Sequence, residues 1–427
     1  MSTPPKEEVA KEIREVINRA SGDISILLGA GASAAAGLPA MYTFLEQILG
    51  KEFLQGLASG KPYHFGTQDV RQAKANQSVI VQRLIHTAGL KKGRLAIDLE
   101  EIFEFVHKSP ILTHEESHLH ALKAMFWMYQ VCHDQQNQAF EEYKKQFQQF
   151  LSNFDFWLSN FQTAVNDLRR RMFEAYLIDN DREAVLEKAV KAYSILPKIF
   201  HKTPAVVFTT NFDTIFEALQ YTDRVSADIC TGMGGRQPQN FSWANFIDVK
   251  ESAQQIMLFK LHGSVSWERT SRGIRQCYPQ VPSPRGGDHS NVALVEPVLS
   301  KRRAASPFKE MYEVFERVLT TNRLCIAIGF SFRDDEIRDI ITAHLNEDPD
   351  FHLLIVAPED ATYPELNTHL ELLAANPQVT WLKEYFGSPE TEQKILAVVK
   401  EVVGGWNSMS SAERQAVRAL NSRQSAN

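Results

Sequence analysis

Four short stretches carry the residue types that chemistry needs. They are LLGAGASAAAGLP (27–39), TTNFD (209–213), KLHGS (260–264) and GFSFRDDEI (329–337). In the first, Gly29 and Gly31 permit a tight turn, while Ala30, Ala32 and Ser33 keep bulk away, so a diphosphate could approach bare backbone amides. The pattern departs from G-x-G-x-x-G, because Ala34 stands where the third glycine belongs and the next glycine is Gly37. Such a turn serves equally well just to redirect the chain. In the second stretch Asn211 and Asp213 alternate beyond Thr210. An amide can orient a hydroxyl or a water and a carboxylate can support positive charge, yet both types also cap helices. His262, in the third, is of the one residue type whose unperturbed pKa, ~6.5, suits general-base work near neutrality; it also fits a hydrogen-bonded loop residue. In the fourth, Gly329 and Ser331 precede Asp334 and Asp335, acids that suit a helix start.

Each stretch follows a short apolar run: ISILLG (24–29), AVVFTT (205–210), IMLFKLHG (256–263) and RLCIAIGFS (323–331). FHLLIVAP (351–358) is of the same kind, and VTWLKEYF (379–386) predicts a last strand. Apolar runs of this length suit strands buried on both faces, the mark of a parallel sheet. Helical patterns such as PFKEMYEVFERVLTTN (307–322) and DDEIRDIITAHLN (334–346) lie between them. The prediction is α/β: a Rossmann-like parallel sheet whose strand ends bring the four stretches to one crevice. A helix is expected at MYTFLEQIL (41–49), after the glycine-rich turn. From about 99 to 200 the pattern is helical, with Phe147, Phe150, Leu151 and Phe154 at three- and four-residue spacing, and the segment 61–199 is assigned with it. This predicts a large inserted α-helical subdomain between sheet segments 1–60 and 200–403, followed by a tail (404–427) with a short helix after Ser410.

Composition excludes several classes. Of 427 residues, 46 are Lys or Arg and 52 are Asp or Glu, a net charge of −6 that supplies no general attraction to nucleic acid or anionic membranes. No apolar run is long enough to span a bilayer, and the charged, helical beginning is unlike a secretory signal, so a cytoplasmic location is expected. Cys132, Cys230, Cys277 and Cys325 form no Cys-x-x-Cys pair. No zinc knuckle or other metal site is therefore expected.

The ordered set GAGAS…GLP, TTNFD, LHGS, GFSF resembles the sirtuin family, and within it the divergent bacterial branch that cleaves NAD in anti-phage defence. The likeness covers roughly residues 20–50 and 200–390. It implies an NAD site with Gly29, Ala30, Gly31, Ala32 and Ser33 around the diphosphate, together with Thr210, and with Gly329 and Ser331 near the adenosine end. Asn211, Asp213 and His262 would then stand by the nicotinamide ribose as the catalytic set. Lysine-deacylating sirtuins carry an Asp, an aromatic and an Arg after their GIP-like turn; here Ala40, Met41 and Tyr42 follow Pro39. Their zinc-binding cysteine pairs have no counterpart, and Thr210 replaces a glutamine.

The expected activity is therefore hydrolysis of NAD, as substrate and without zinc, to nicotinamide and ADP-ribose. Loss of nicotinamide builds oxocarbenium-like charge on the ribose. Asn211 would orient ribose and water, His262 would act as base, and Asp213 would lend support. The rivals are an NAD or ADP-ribose sensor without catalysis, a deacylase or ADP-ribosyltransferase, and a scaffold with a vestigial site. An NAD hydrolase must be gated, which points to a homo-oligomer or to a partner. Standalone chains of the resembling branch pair with a HerA-type hexameric ATPase.

Overall fold

The structure is a computed structural model and describes residues 6–40, 43–44, 47, 170–178, 182–200, 204–224, 227–233, 240–250, 255–280, 292–294, 306–359 and 367–407. The chain divides into two compact units. One comprises Met1–Ala40, Phe173–Val295 and Ser300–Asn427; the other comprises Met41–Met172 and Glu296–Leu299. Most of the expected helical insertion, nearly all of the helix expected at 41–49 and the tail beyond 407 lie outside the described residues.

The centre of the first unit is a seven-stranded sheet. In chain order the strands are β1 (Ile24–Leu28), β2 (Ala205–Thr209), β3 (Asp228–Cys230), β4 (Gln255–Lys260), β8 (Leu324–Ile328), β9 (His352–Val356) and β10 (Val379–Leu382). Their spatial order is β10-β9-β8-β1-β2-β4-β3, with every neighbouring pair parallel. This is the Rossmann-like α/β sheet that the apolar runs predicted. All five residues of β1, β2 and β8 are buried, as expected for strands covered on both faces. The unit's helices include α1 (Lys6–Ala20), α2 (Ala30–Ala35), α3 (Glu183–Tyr193), α4 (Leu196–Ile199), α5 (Ile215–Tyr221), α6 (Ala244–Ile247), α7 (Phe308–Leu319), α8 (Asp335–Glu347), α9 (Thr368–Ala374) and α10 (Pro389–Asn407). Helices α3 and α4, which fall in the segment expected to be the insertion, belong to the same unit as the sheet. Helix α2 occupies the small-residue stretch itself, directly after β1.

Successive residues of a strand face opposite sides of a sheet. Leu27, Phe208 and Phe259 therefore share one core with α1 and α7. Phe208 stacks on Phe259 at 5.0 Å and meets Phe315 edge-on at 4.9 Å between centroids. The buried side of α7 carries Phe308, Met311, Tyr312, Phe315, Val318 and Leu319, a three-and-four spacing that makes one continuous apolar stripe. Tyr312 is thus held in place by its stripe neighbours, with each fully buried Phe contributing roughly 2–3 kcal/mol.

Two features of topology locate the site. The chain leaves β1 for β2 on one side and later returns to β8 on the other, so β1 and β8 form a topological switch point. Ile328, Leu28, Thr209 and Lys260 are also level across the sheet by register. Gly329, Gly29, Thr210 and Leu261 consequently leave the sheet along one line. A second, antiparallel sheet of β5 (Gly263–Thr270), β6 (Gly273–Gln276) and β7 (Val292–Leu294), in the order β6-β5-β7, was not foreseen. It begins straight after His262, where Gly263 at φ +80° turns the chain.

Candidate active site

The ends of β1 and β8 are locked together through their backbones. The Gly29 N–H donates to Ile328 O and the Gly31 N–H to Gly329 O, both at 2.9 Å. A Cβ on Gly29 would lie 2.5 Å from Gly329 O, and one on Gly31 would lie 2.7 Å from Gly329 Cα. A Cβ on Gly329, whose φ is +60°, would meet Ala32 N at 2.3 Å. The glycines of GAGAS are thus required first by the approach of two loops, and the Gly31 amide is already engaged within the protein. Ala30, Gly31 and Gly329 are half-buried, Ala32 is buried, and Ser331 is exposed.

Three sequence-predicted residues meet in one network. Ser33 Oγ donates to Asp213 Oδ2 at 2.5 Å and accepts from Asn211 Nδ2 at 2.8 Å. The other Asn211 amide hydrogen goes to Gly29 O, also at 2.8 Å. Because a carbonyl can only accept, this contact fixes which end of the amide is nitrogen. Both Asn211 donors are therefore occupied, and its Oδ1 is the end left for accepting a hydrogen bond. The Asn211 backbone is held by its N–H to Thr209 Oγ1 at 3.0 Å, and Thr210 bonds back to Leu28 O at 3.2 Å. Asp213 is buried, and its Oδ1 accepts from Ile215 N at 3.0 Å, so it organises the start of α5 as well as Ser33. Burial pushes its carboxyl above the usual range, while Lys260, Ser33 and Ile215 oppose that shift. The neighbouring hydroxyls of Tyr176 and Tyr193 are pushed up too, mainly by burial and then by the Asp213 charge.

Beneath this network lies a cation that sequence reading missed. Lys260 is 1% exposed, and its ammonium donates to Asp213 O at 2.5 Å, Glu217 Oε1 at 2.6 Å and Ser264 Oγ at 3.1 Å. Three donors in three bonds pin the TTNFD loop to the end of β4. The signal was present in IMLFKLHG: one charge inside a strand otherwise buried throughout demands a buried partner.

His262 joins a second cluster. Its Nε2 lies 3.0 Å from Tyr312 Oη and 3.1 Å from Asp334 Oδ2. The side chains of His262 and Asp334 are each 7% exposed. Asp334 also caps α8, its Oδ1 accepting from Glu336 N at 3.2 Å and Ile337 N at 3.4 Å. The helix-start role foreseen for Asp334 is real, but it occupies only one oxygen. Tyr312 reads in sequence as one more apolar-stripe aromatic, and only folding shows where its hydroxyl goes.

Residues 205–382 match the SIR2-like domain family, a span that includes TTNFD, KLHGS and GFSF. Among solved structures, a Sir2 homologue in complex with NAD aligns at a TM-score of 0.34 and 12% identity, over 92% of this chain and 94% of that one. A Sir2 homologue with a histidine-to-asparagine substitution, in complex with ADP-ribose, aligns at 0.34 and 12%, over 94% and 99%. A serine-to-alanine variant in complex with ADP-ribose aligns at 0.33 and 11%, over 94% and 99%. No curated protein matches the chain. No described helix is long and apolar enough to cross a membrane.

Proposed function

We propose that the chain is an NAD hydrolase that cleaves NAD to nicotinamide and ADP-ribose. The observation that carries this reading is Asn211: with both amide hydrogens taken by Gly29 O and Ser33 Oγ, it offers an oxygen at the carboxyl end of β2. That acceptor suits a ribose hydroxyl or a water, and it stands one strand from the loop that bears His262. The SIR2-like match over these segments supports NAD as the substrate. The residues fit it: Gly29, Ala30, Gly31 and Ala32, which follow β1, carry no side chain larger than a methyl group, and Ala30 and Gly31 are only half-buried. Gly29, Ala32, Ser33, Thr210, Gly329 and Ser331 complete the proposed binding set.

In the reaction, the bond from ribose C1′ to the pyridinium nitrogen breaks and nicotinamide leaves as a neutral base. A water oxygen bonds to C1′, and the proton it releases passes to His262. Asn211 Oδ1 orients that water or the ribose hydroxyl beside it. Asp213 acts through Ser33, keeping the Asn211 amide in place. Because the leaving group departs neutral, no strong acid is required; positioned acid–base help of this kind gives about 10²–10⁴-fold in rate. Self-assembly or a HerA-type ATPase partner is the proposed gate for a defence effector that depletes NAD, and native mass spectrometry of the chain alone and with that partner tests it.

The deciding experiment is incubation of the purified chain with NAD, resolving nicotinamide, ADP-ribose and cyclised products by chromatography. Nicotinamide and ADP-ribose should accumulate together, and Asn211→Ala and His262→Ala should each slow them by 10²-fold or more. Binding of NAD without nicotinamide release would replace this reading with a sensor. Nicotinamide release only in the presence of an acylated peptide would replace it with a deacylase.

A further inference from the structure

We propose that Asp334 is a positioning residue that fixes the tautomer and orientation of the His262 ring. The two oxygens of the Asp334 carboxylate divide their labour. Oδ1 faces the first turn of α8 and accepts from Glu336 N and Ile337 N, while Oδ2 faces His262 Nε2 at 3.1 Å. Capping alone would be served by Asn or Ser, which rank with Asp at such positions and carry no charge. Here the second oxygen is turned to the imidazole and is buried with it.

The proton on Nε2 follows from what Asp334 and Tyr312 can do there. A carboxylate only accepts, whereas the Tyr312 hydroxyl, 3.0 Å from the same nitrogen, can donate or accept. If Nε2 were unprotonated, its lone pair would face the Asp334 lone pairs at 3.1 Å. With a proton on Nε2, Asp334 accepts it and Tyr312 can accept a share. The neutral ring is therefore the Nε2–H tautomer, and Nδ1 is its basic nitrogen. The base–orienter arrangement needs the ring held by a second group in this way. Asp334 is itself held rigidly, because two backbone amides grip its other oxygen. The span is notable in sequence: residue 262 follows β4 and residue 334 follows β8, three strands across the sheet.

The kinetic consequence rests on the NAD-hydrolase reading, so the test has an arm that does not. In the full-length chain, Asp334→Asn keeps an N-cap oxygen but presents either an amide N–H or a weaker neutral acceptor to Nε2. With histidines labelled in ¹⁵N, and the His262 signals assigned from His262→Ala, long-range ¹H–¹⁵N correlation should show the Nε2–H tautomer in the wild type. In Asp334→Asn it should show a shift toward Nδ1–H, with the thermal midpoint little changed. In the activity arm, kcat for nicotinamide release should fall by about 10²-fold or more with KM little altered. The Asp334→Asn and His262→Ala changes together should cost no more than His262→Ala alone. An unchanged tautomer in the variant, or an Nδ1–H ring in the wild type, overturns the proposal whether or not the chain cleaves NAD. So do rates that multiply in the double variant. Absence of NAD cleavage by the wild type defeats the parent reading alone, and the tautomer then decides for Asp334.

Discussion

Replacing Lys260 with Met tests whether the network under the site is as tightly coupled as its geometry indicates. The Lys260 and Glu217 side chains are 2% and 1% exposed and 2.6 Å apart, so water cannot take over from either partner. Removing one member of a buried pair strands the other charge and costs about 3–5 kcal/mol. Glu217 Oε2 is already buried without a hydrogen-bond partner among the described residues, and Oε1 would keep only Ser264 Oγ at 3.2 Å. Lys260→Met should therefore remove a large part of a stability that is typically about 5–15 kcal/mol. Glu217→Leu should do comparable harm by stranding the ammonium. If the two acted independently, the double variant would lose about 6–10 kcal/mol and would not fold. A coupled pair predicts otherwise: with both charges gone, the main residual penalty is the unpartnered Asp213 carbonyl, about 1–3 kcal/mol. Urea unfolding of the full chain, followed by tryptophan fluorescence and circular dichroism, reads all three midpoints. Single variants that each cost under about 1 kcal/mol, or losses that simply add, would refute the reasoning.

Other perturbations probe separate parts of the site. Gly329→Ala places a methyl group 2.3 Å from Ala32 N at a φ of +60°, so it should cost at least about 1–3 kcal/mol in thermal or urea unfolding and weaken NAD binding measured by calorimetry. Asp213 supplies a pH signature. Its folded pKa is raised, so the native state holds this proton where the unfolded chain releases it. The contribution is fully present below about pH 4 and is lost as pH rises through the folded value. Stability of the wild type relative to Asp213→Asn should therefore decline from about pH 4 toward neutrality in urea midpoints taken across that range, and a flat or rising difference would contradict it. Ser33→Ala removes the link between Asn211 and Asp213 and should lower kcat for nicotinamide release more than it lowers the melting temperature.

Much of this was legible in the sequence because buried parallel strands announce themselves. AVVFT and LCIAI can hardly be anything else, and the polar residues after them fall where such a sheet puts ligands. Ser33, Asn211 and Asp213 do converge, though their partnership depends on strand order, which local pattern does not encode. The helix at Ala30–Ala35 was missed because glycine and alanine in alternation read as a turn. Four alanines favour a helix there, yet six residues are too few to hold one alone, and the Gly31 N–H to Gly329 O bond ties that turn to the end of β8. The antiparallel strands after His262 escaped notice although Val265, Trp267 and Ile274 alternate with polar neighbours around a turn at Ser271–Arg272. Lys260, Glu217 and Tyr312 could not be paired by inspection, since each finds its partner through tertiary contact.

The interlocked glycines have an evolutionary consequence. Positions 29, 31 and 329 belong to two segments about 300 residues apart in sequence, yet a single carbon atom at any of them collides with backbone of the opposite loop. Backbone cannot be substituted away, so no change at one position is relieved by a smaller side chain at another. The three should be inherited as a unit, kept together in descendants that retain the function and lost together where the loops have separated. A library that randomises any one of them should return almost only glycine.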